Sequence, residues 1–390
     1  MTPWSARLDA LLEDADIDVL LVTSKHNIRY LLDGHHHHFF AAGDAIGISR
    51  YLPILLYPRA RPADSAYIAN RNERDSLSVR TGEDRPLWVP AVRPGASGSV
   101  EAMGLAVAHL DRLGLTGARI GVEMAFLPAD AFLALRDGCP DARIVEAHRP
   151  LERLRAVKTP AELHLLRDAS DRVVDAMLAV IGSHGPGTTK HQLIAALRRE
   201  EAARGLEFEY ALVTVGSSHV RAPSQERWEK GGVLSIDSGG NLDGYIGDLC
   251  RMGIGGEPDA ELDDLLGEVD RIQMAARVPI RAGVPGREIY EAAGQALARP
   301  GPAGAPEPAF VAHGMGLIGH EAPRLTATGP IPYPDCDAGL PLQAGMVVSI
   351  ETTLAHPTRG FIKLEDTVAV TEHGCEGFGD RGRGWNRGAA

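Results

Sequence analysis

Between residues 1 and about 150, short apolar runs at 19–22, 53–57 and 118–122 alternate with stretches of helical apolar spacing such as 99–113. That alternation predicts an α/β domain. The stretch 151–160, LERLRAVKTP, is basic and ends in a helix start: Thr159 at the cap, Pro160 in the first turn, and Glu162 three residues after the cap. The domain boundary is expected here. Beyond it one pattern occurs twice. Helical periodicity over 160–181 and 190–204 leads into strand signals at 208–215, 233–237 and 245–251, and helical periodicity over 259–278 and 286–298 leads into 309–313, 346–354 and 361–370. Two helix–helix–antiparallel-strand units imply an internal duplication, with one site closed between the halves. The expected organisation is of the mixed α/β (α+β) class. It comprises an α/β domain over 1–150, a duplicated domain over 151–375, and a Gly- and Arg-rich tail over 376–390 that stays mobile unless Trp385 docks it.

Composition narrows the possibilities further. With 44% hydrophobic and 24% charged residues the chain sits at the globular average. Lys plus Arg number 40 against 52 for Asp plus Glu, a formal charge of −12 that argues against a nucleic-acid partner. No apolar run reaches the roughly 18 residues of a membrane span, and residues 1–14 lack the basic-then-apolar order of a secretory leader. Cys139, Cys250, Cys336 and Cys375 are too scattered for a C-x-x-C metal site and too few for a disulfide framework. Reduced thiols in the cytoplasm are the expectation.

The acidic residues carry the chemistry. Residues that face each other in an antiparallel hairpin have numbers that sum to a constant. In LSIDSGGNLDGYIGDLC, Asp237 and Asp248 have their midpoint at 242.5, inside the turn-forming GGNLDG; Glu351 and Glu365 have theirs at 358, the centre of HPTRG. Each hairpin is therefore expected to set two acids opposite each other on one face. Like charges so placed destabilise a sheet, and burying an unpaired carboxylate costs several kcal/mol. Two divalent cations would neutralise four carboxylates and leave a bridging hydroxide as the residual charge. Oxygen-rich ligands with one imidazole suit Mn, Fe, Co or Zn. The imidazole is found in AHGMGLIGHE, where His313 ends the apolar strand FVAH and Gly314 and Gly316 permit close backbone approach.

Residues 155–375 resemble the pita-bread family of methionine aminopeptidases, prolidases, aminopeptidases P and creatinases. The resemblance rests on RAVKTPAEL, on IDSGG with Asp248 eleven residues after Asp237, and on HGMGLIGHE, SIETTL and FIKLEDTVAV followed by EHG. It implies that Asp237, Asp248, His313, Glu351 and Glu365 hold two divalent metal ions, Mn foremost and Fe, Co or Zn as alternatives. It further implies that Asp248 and Glu365 bridge the ions and that His320 stands near the scissile carbonyl. The N-terminal part, KHNIRYLLDG included, is similar to that of the two-domain prolidase and creatinase branch. Members of that branch associate so that this domain borders the neighbouring site, which implies a homodimer.

Three positions depart from the family pattern. Ala309 stands where another His is frequent, Thr352 replaces the usual Pro after the first glutamate, and Lys363 replaces Arg two residues before the last, keeping the charge without the planar fork. These leave the metal ligands intact and put peptide specificity in question. His219, eighteen residues before Asp237 in VGSSHVRAPS, stands about where family members carry a substrate-facing histidine. Arg221 and Lys363 are candidate substrate-binding cations. The run His35–His38 with Phe39 and Phe40 is expected in a loop at the mouth of the site, with Asp44, Arg50 and Tyr51 on the same wall.

The first activity implied is metal-dependent hydrolysis of a C–N bond, most simply by an Xaa-Pro aminopeptidase or dipeptidase. A metal-bridging hydroxide attacks the carbonyl, Glu351 takes and returns the proton, and His320 supports the tetrahedral intermediate. The second is a non-peptidase on the same scaffold, an amidine or lactam hydrolase like the relatives acting on creatine or ectoine, or a lyase on a small zwitterion. The third, a catalytically inactive binding module, is disfavoured because all five ligands are present.

Overall fold

The computed structural model describes residues 4–35, 51–74, 77, 87–326 and 336–389, and the chain divides into two compact units, Met1–Leu154 and Arg155–Ala390. The first unit is built on a sheet of order β4-β3-β2-β1-β5-β6. Its strands are β1 Val19–Val22, β2 Ile54–Pro58, β3 Ala66–Asn70, β4 Ala91–Ala96, β5 Arg119–Val122 and β6 Arg143–Glu146. Around it stand α1 Ser5–Asp14, α2 Lys25–Leu31, α3 Ser99–Arg112, α4 Ala129–Gly138 and α5 His148–Ala156. Strands β1 and β2 are buried at every position because both sheet faces are covered, one by a core with Leu8, Leu12 and Ile28, the other by Met103, Leu110 and Leu135. The basic stretch expected as a connector is in part helix: α5 runs to Ala156, with Leu151 and Leu154 in the first unit's core. Of the His-rich run, His35 is buried with Nε2 3.3 Å from Glu73. Residues 36–40, Asp44 and Arg50 lie outside the described residues, and the Tyr51 hydroxyl accepts from Asn72.

The second unit carries the duplication as expected. Helices α6 Pro160–Ser183 and α7 Lys190–Ala203 lead into β7 Glu207–Val215, β8 Val233–Leu242 and β9 Tyr245–Ile254; α8 Ala260–Arg277 and α9 Arg287–Leu297 lead into β10 Ala309–Gly314, β11 Val347–His356 and β12 Gly360–Val370. Local chemistry starts these helices where the sequence placed them: Thr159 with Glu162 and Thr189 with Gln192 form capping boxes, and Asp259 caps α8. The strands join in the order β10-β11-β12-β9-β8-β7, so the two hairpins meet where β12 borders β9 at Glu365 and Cys250. Apolar side chains of α6 and α7, such as Val173, Met177 and Leu197, cover the first half, and Ile272, Ile289 and Ala293 cover the second.

The tail is docked, with Trp385 among its anchors, the condition under which the sequence reading expected order. Cys375–Phe378 forms β13 beside β12, and Asn386–Arg387 forms β14 along β9. Trp385 packs against the core around Leu262 and donates to its carbonyl. Arg383 pairs with Asp366, which also receives Arg251 and Arg277. Among the described residues no helix is long and apolar enough to cross a membrane.

Candidate metal centre

Strand pairing brings the acids together. Glu351 faces Glu365 directly, as the midpoint at 358 requires. The other hairpin corrects the sequence expectation: Asp237 faces Cys250 and Asp248 faces Gly239, so the two aspartates are diagonal neighbours. The cause is the turn. Leu242 pairs with Tyr245 across a two-residue Asp243–Gly244 loop with φ values of 50° and 93°, which moves the hairpin centre from 242.5 to between 243 and 244. Pairing thereby shifts by two residues, an even number, and both acids stay on the same face. Strand β10 adds His313 beside Ser349. A Cβ on Gly314 would lie 2.3 Å from the carbonyl carbon of Ala322, so only glycine lets the chain after His313 fold back and stack the His320 ring on the His313 ring at 3.8 Å. The neighbouring Glu321 is fixed by Arg155 at 2.8 Å and Lys158 at 3.1 Å, both fully buried. That ion triad ties the RAVKTP segment to the histidine loop.

Asp237, Asp248, His313 and Glu365 are buried, and Glu351 is half-buried at the edge. They form one wall of a cavity of about 450 Å³ whose other walls include Tyr210, Leu212, Arg221, Ile246, Val311, His320, Arg324 and Leu325. Three groups of side chains bring ligand atoms within 4.8 Å of one another: Asp237, Asp248 and Glu365; His313, Glu351 and Glu365; and Asp248, His313 and His320. His320 thus stands closer to the ligands than its sequence spacing indicated.

Electrostatics shows how unequal these carboxylates are. Burial pushes Asp237 up to about 6 against the opposing pull of Lys363, and it pushes Asp248 well above the carboxylate range, helped by the charges of Glu365 and Asp237. Burial also raises Glu365, but Lys363 and His313 outweigh it and hold that carboxyl well below its usual range. Burial and the neighbouring His313 push His320 down to about 4, so its ring is neutral at pH 7. The donor set fits divalent metal ions on a further observation: His313 Nε2 is buried without a hydrogen-bond partner and lies 3.8 Å from Oε1 of both Glu351 and Glu365. Four carboxylates and an imidazole so converged are the ligand chemistry of Mn, Fe, Co or Zn.

The structure unites all five expected ligands with His320, Arg221 and Lys363. It does not bring in His219, which is exposed after β7, turns Nε2 to the carbonyl of His356 at 3.0 Å, and is not among the cavity's lining residues. Arg221 hydrogen-bonds Asp237, and Lys363 is buried among carboxylates. Residues the sequence reading missed are Tyr210, whose hydroxyl donates to Asp248, Ser349, which donates to Glu365 at 2.9 Å, and Arg324 on the cavity wall. The signal for Tyr210 was the glycine pair in IDSGG. A Cβ at Gly239 would lie 2.3 Å from the Tyr210 ring.

A duplicated second unit that gathers side chains able to hold a metal, following an α/β first unit in the sequence, defines the two-domain pita-bread class. The chain belongs to metallopeptidase family M24, whose model matches residues 164–372, and the creatinase/prolidase N-terminal domain matches residues 5–157. The probable dipeptidase PepE of Mycobacterium tuberculosis is 34% identical over 234 residues, which cover 58% of this chain and 59% of that protein, under two thirds of its length. The Xaa-Pro dipeptidase of Pyrococcus furiosus is 26% identical over 228 residues, 57% of this chain and 63% of that one. Among solved structures, an Xaa-Pro dipeptidase from Bacillus anthracis matches with a TM-score of 0.80 and 21% identity, covering 98% of this chain and 99% of that chain. The dipeptidase PepE of Mycobacterium ulcerans matches with a TM-score of 0.76 and 26% identity over 99% and 97%.

Proposed function

We propose that this chain is a metal-dependent hydrolase that cleaves a C–N bond in small peptides, with the Xaa-Pro bond as its preferred target. The observation that carries this is the convergence of four carboxylates on the partnerless His313 Nε2 at the wall of a substrate-sized cavity. The names of the relatives, dipeptidase and Xaa-Pro dipeptidase, support the substrate class. Asp237, Asp248, His313, Glu351 and Glu365 would hold up to two divalent ions, Mn foremost, with Asp248 and Glu365 shared between positions. When bound, such ions supply Lewis-acid polarisation of the carbonyl and activation of water.

The chain's own groups do the rest. Glu351, at the half-buried edge, accepts a proton on its carboxylate and passes it to the departing nitrogen. Neutral His320 donates an N–H to the carbonyl oxygen as it becomes negative. Arg221 and Arg324 present positive charge on the cavity wall for a substrate carboxylate, and Leu212, Ile246, Val311 and Leu325 offer apolar surface to a small side chain or a proline ring. Both active-site loading and action in the cytoplasm as a homodimer form part of this reading.

The test is a screen of the Mn²⁺-loaded protein against Xaa-Pro dipeptides, longer Xaa-Pro peptides, and small cyclic amides and amidines. Cleavage of Xaa-Pro dipeptides is the expected outcome. Turnover of cyclic amides or amidines alone would replace it with the non-peptidase reading. Glu365→Ala should lose bound metal and activity together, and metal retention equal to that of the unmodified chain would remove Glu365 from the ligands.

A further inference from the structure

Three of the five candidate ligands already hold a cation that belongs to the chain. Lys363, two residues before Glu365 on β12 and so on the same face, is 3% exposed. Its Nζ lies 2.6 Å from Asp237 Oδ2, 2.5 Å from Glu351 Oε2 and 2.7 Å from Glu365 Oε2. The ammonium thus pairs with three ligand carboxylates and donates a hydrogen bond to Asp237. Arg221 brings a second cationic group to the same oxygen of Asp237.

The two sides of the cage differ as a result. On one, His313 Nε2 faces the Oε1 atoms of Glu351 and Glu365, which Lys363 does not engage; Ser349 gives Glu365 Oε1 a single hydrogen bond. On the other, Asp237 Oδ2 is shared between an ammonium and a guanidinium, and Asp248 Oδ1 accepts from Tyr210. Charge leads to the same distinction. Four carboxylates with one ammonium and one guanidinium lack two positive charges, which one divalent ion supplies. A second ion would put excess charge into a buried space unless Lys363 withdrew and broke its ion pairs with Asp237, Glu351 and Glu365.

We propose that Lys363 is a resident counter-cation: it holds the Asp237 side of the cage in place of a divalent ion, so that the chain binds one ion on the His313 side and a second only when the ammonium leaves. This rests on the reading of the site as a metal centre. Lysine in place of arginine at this position presents a compact ammonium rather than a planar guanidinium to the three carboxylates.

The test uses the full-length chain, stripped by chelator, dialysed and titrated with Mn²⁺, with free and bound ion followed by electron paramagnetic resonance. One equivalent should bind tightly and a second at least about 100-fold more weakly, and the bound spectrum should be that of isolated rather than spin-coupled Mn²⁺. Lys363→Met should lower the second dissociation constant by about tenfold or more. Circular dichroism in the presence of Mn²⁺ checks the fold of that variant, and the titration of the unmodified chain decides the matter if the variant does not fold. Two equivalents of similar affinity in the unmodified chain, or an unchanged second dissociation constant in folded Lys363→Met, would overturn the counter-cation role and leave the metal centre standing. Failure of the unmodified chain to bind Mn²⁺, Co²⁺ or Zn²⁺ at all would overturn both.

Discussion

His320 is where sequence spacing and local geometry meet most closely. Three glycines between it and His313 let the chain reverse, and the reversal stacks the two rings at 3.8 Å. A neutral imidazole in that place can donate a hydrogen bond to an oxygen that becomes negative only in the transition state. His320→Ala should therefore keep fold and metal while kcat falls by about 10²-fold or more. Measuring metal content, unfolding free energy and kcat on the same variant separates this from a purely structural role, under which stability drops and turnover per folded molecule is unchanged. The ligands were legible because carboxylates at fixed spacing beside turn residues are unusual and costly. The placement of His219 was not legible because an imidazole in a loop carries no register, and its direction depends on the His356 carbonyl contributed by a strand end 137 residues away.

At the scale of elements, hairpin arithmetic placed Glu351 opposite Glu365 and missed the offset of Asp237 and Asp248 by one turn residue. The difference lies in which residues of GGNLDG make the loop: Asp243 and Gly244 adopt positive φ and leave Gly239 and Gly240 inside the strand. Helix packing holds a further carboxyl that no motif announced. Glu201 on α7 is fully buried, accepts from Ser238 at 2.7 Å, and leaves its other oxygen without a partner, so that burial pushes it up to about 7 from 4.5. The folded chain thus holds this proton up to about pH 7, whereas the unfolded chain releases it near 4.5. Stability must fall as pH rises between those values, and the full penalty applies above pH 7. Between pH 5 and pH 8 the unfolding free energy of the unmodified chain should drop by on the order of 3 kcal/mol more than that of Glu201→Gln. Urea denaturation at the two pH values measures this, and parallel changes in both proteins would show an ordinary carboxyl at Glu201.

For the whole molecule, the two-domain organisation bears on assembly. The resemblance to the two-domain branch implies a homodimer, and a closed site excludes water from the reaction. Light scattering should therefore give a mass near twice the 41.6 kDa of one chain. A mass near one chain with full activity at that concentration would refute the dimer. Chain patterning by itself determined the duplicated helix and strand order, the capping box at Thr159, the choice of five candidate ligands and the family resemblance, because periodicity, caps and ligand spacing are local properties of a sequence. Only the tertiary structure decided the diagonal placement of the aspartates, the docking of residues 375–389, the Arg155–Glu321–Lys158 triad and the position of Lys363 among three carboxylates. Each of these joins groups from separate strands, helices or loops. Their energies come from burial and charge at a meeting point that no single segment contains.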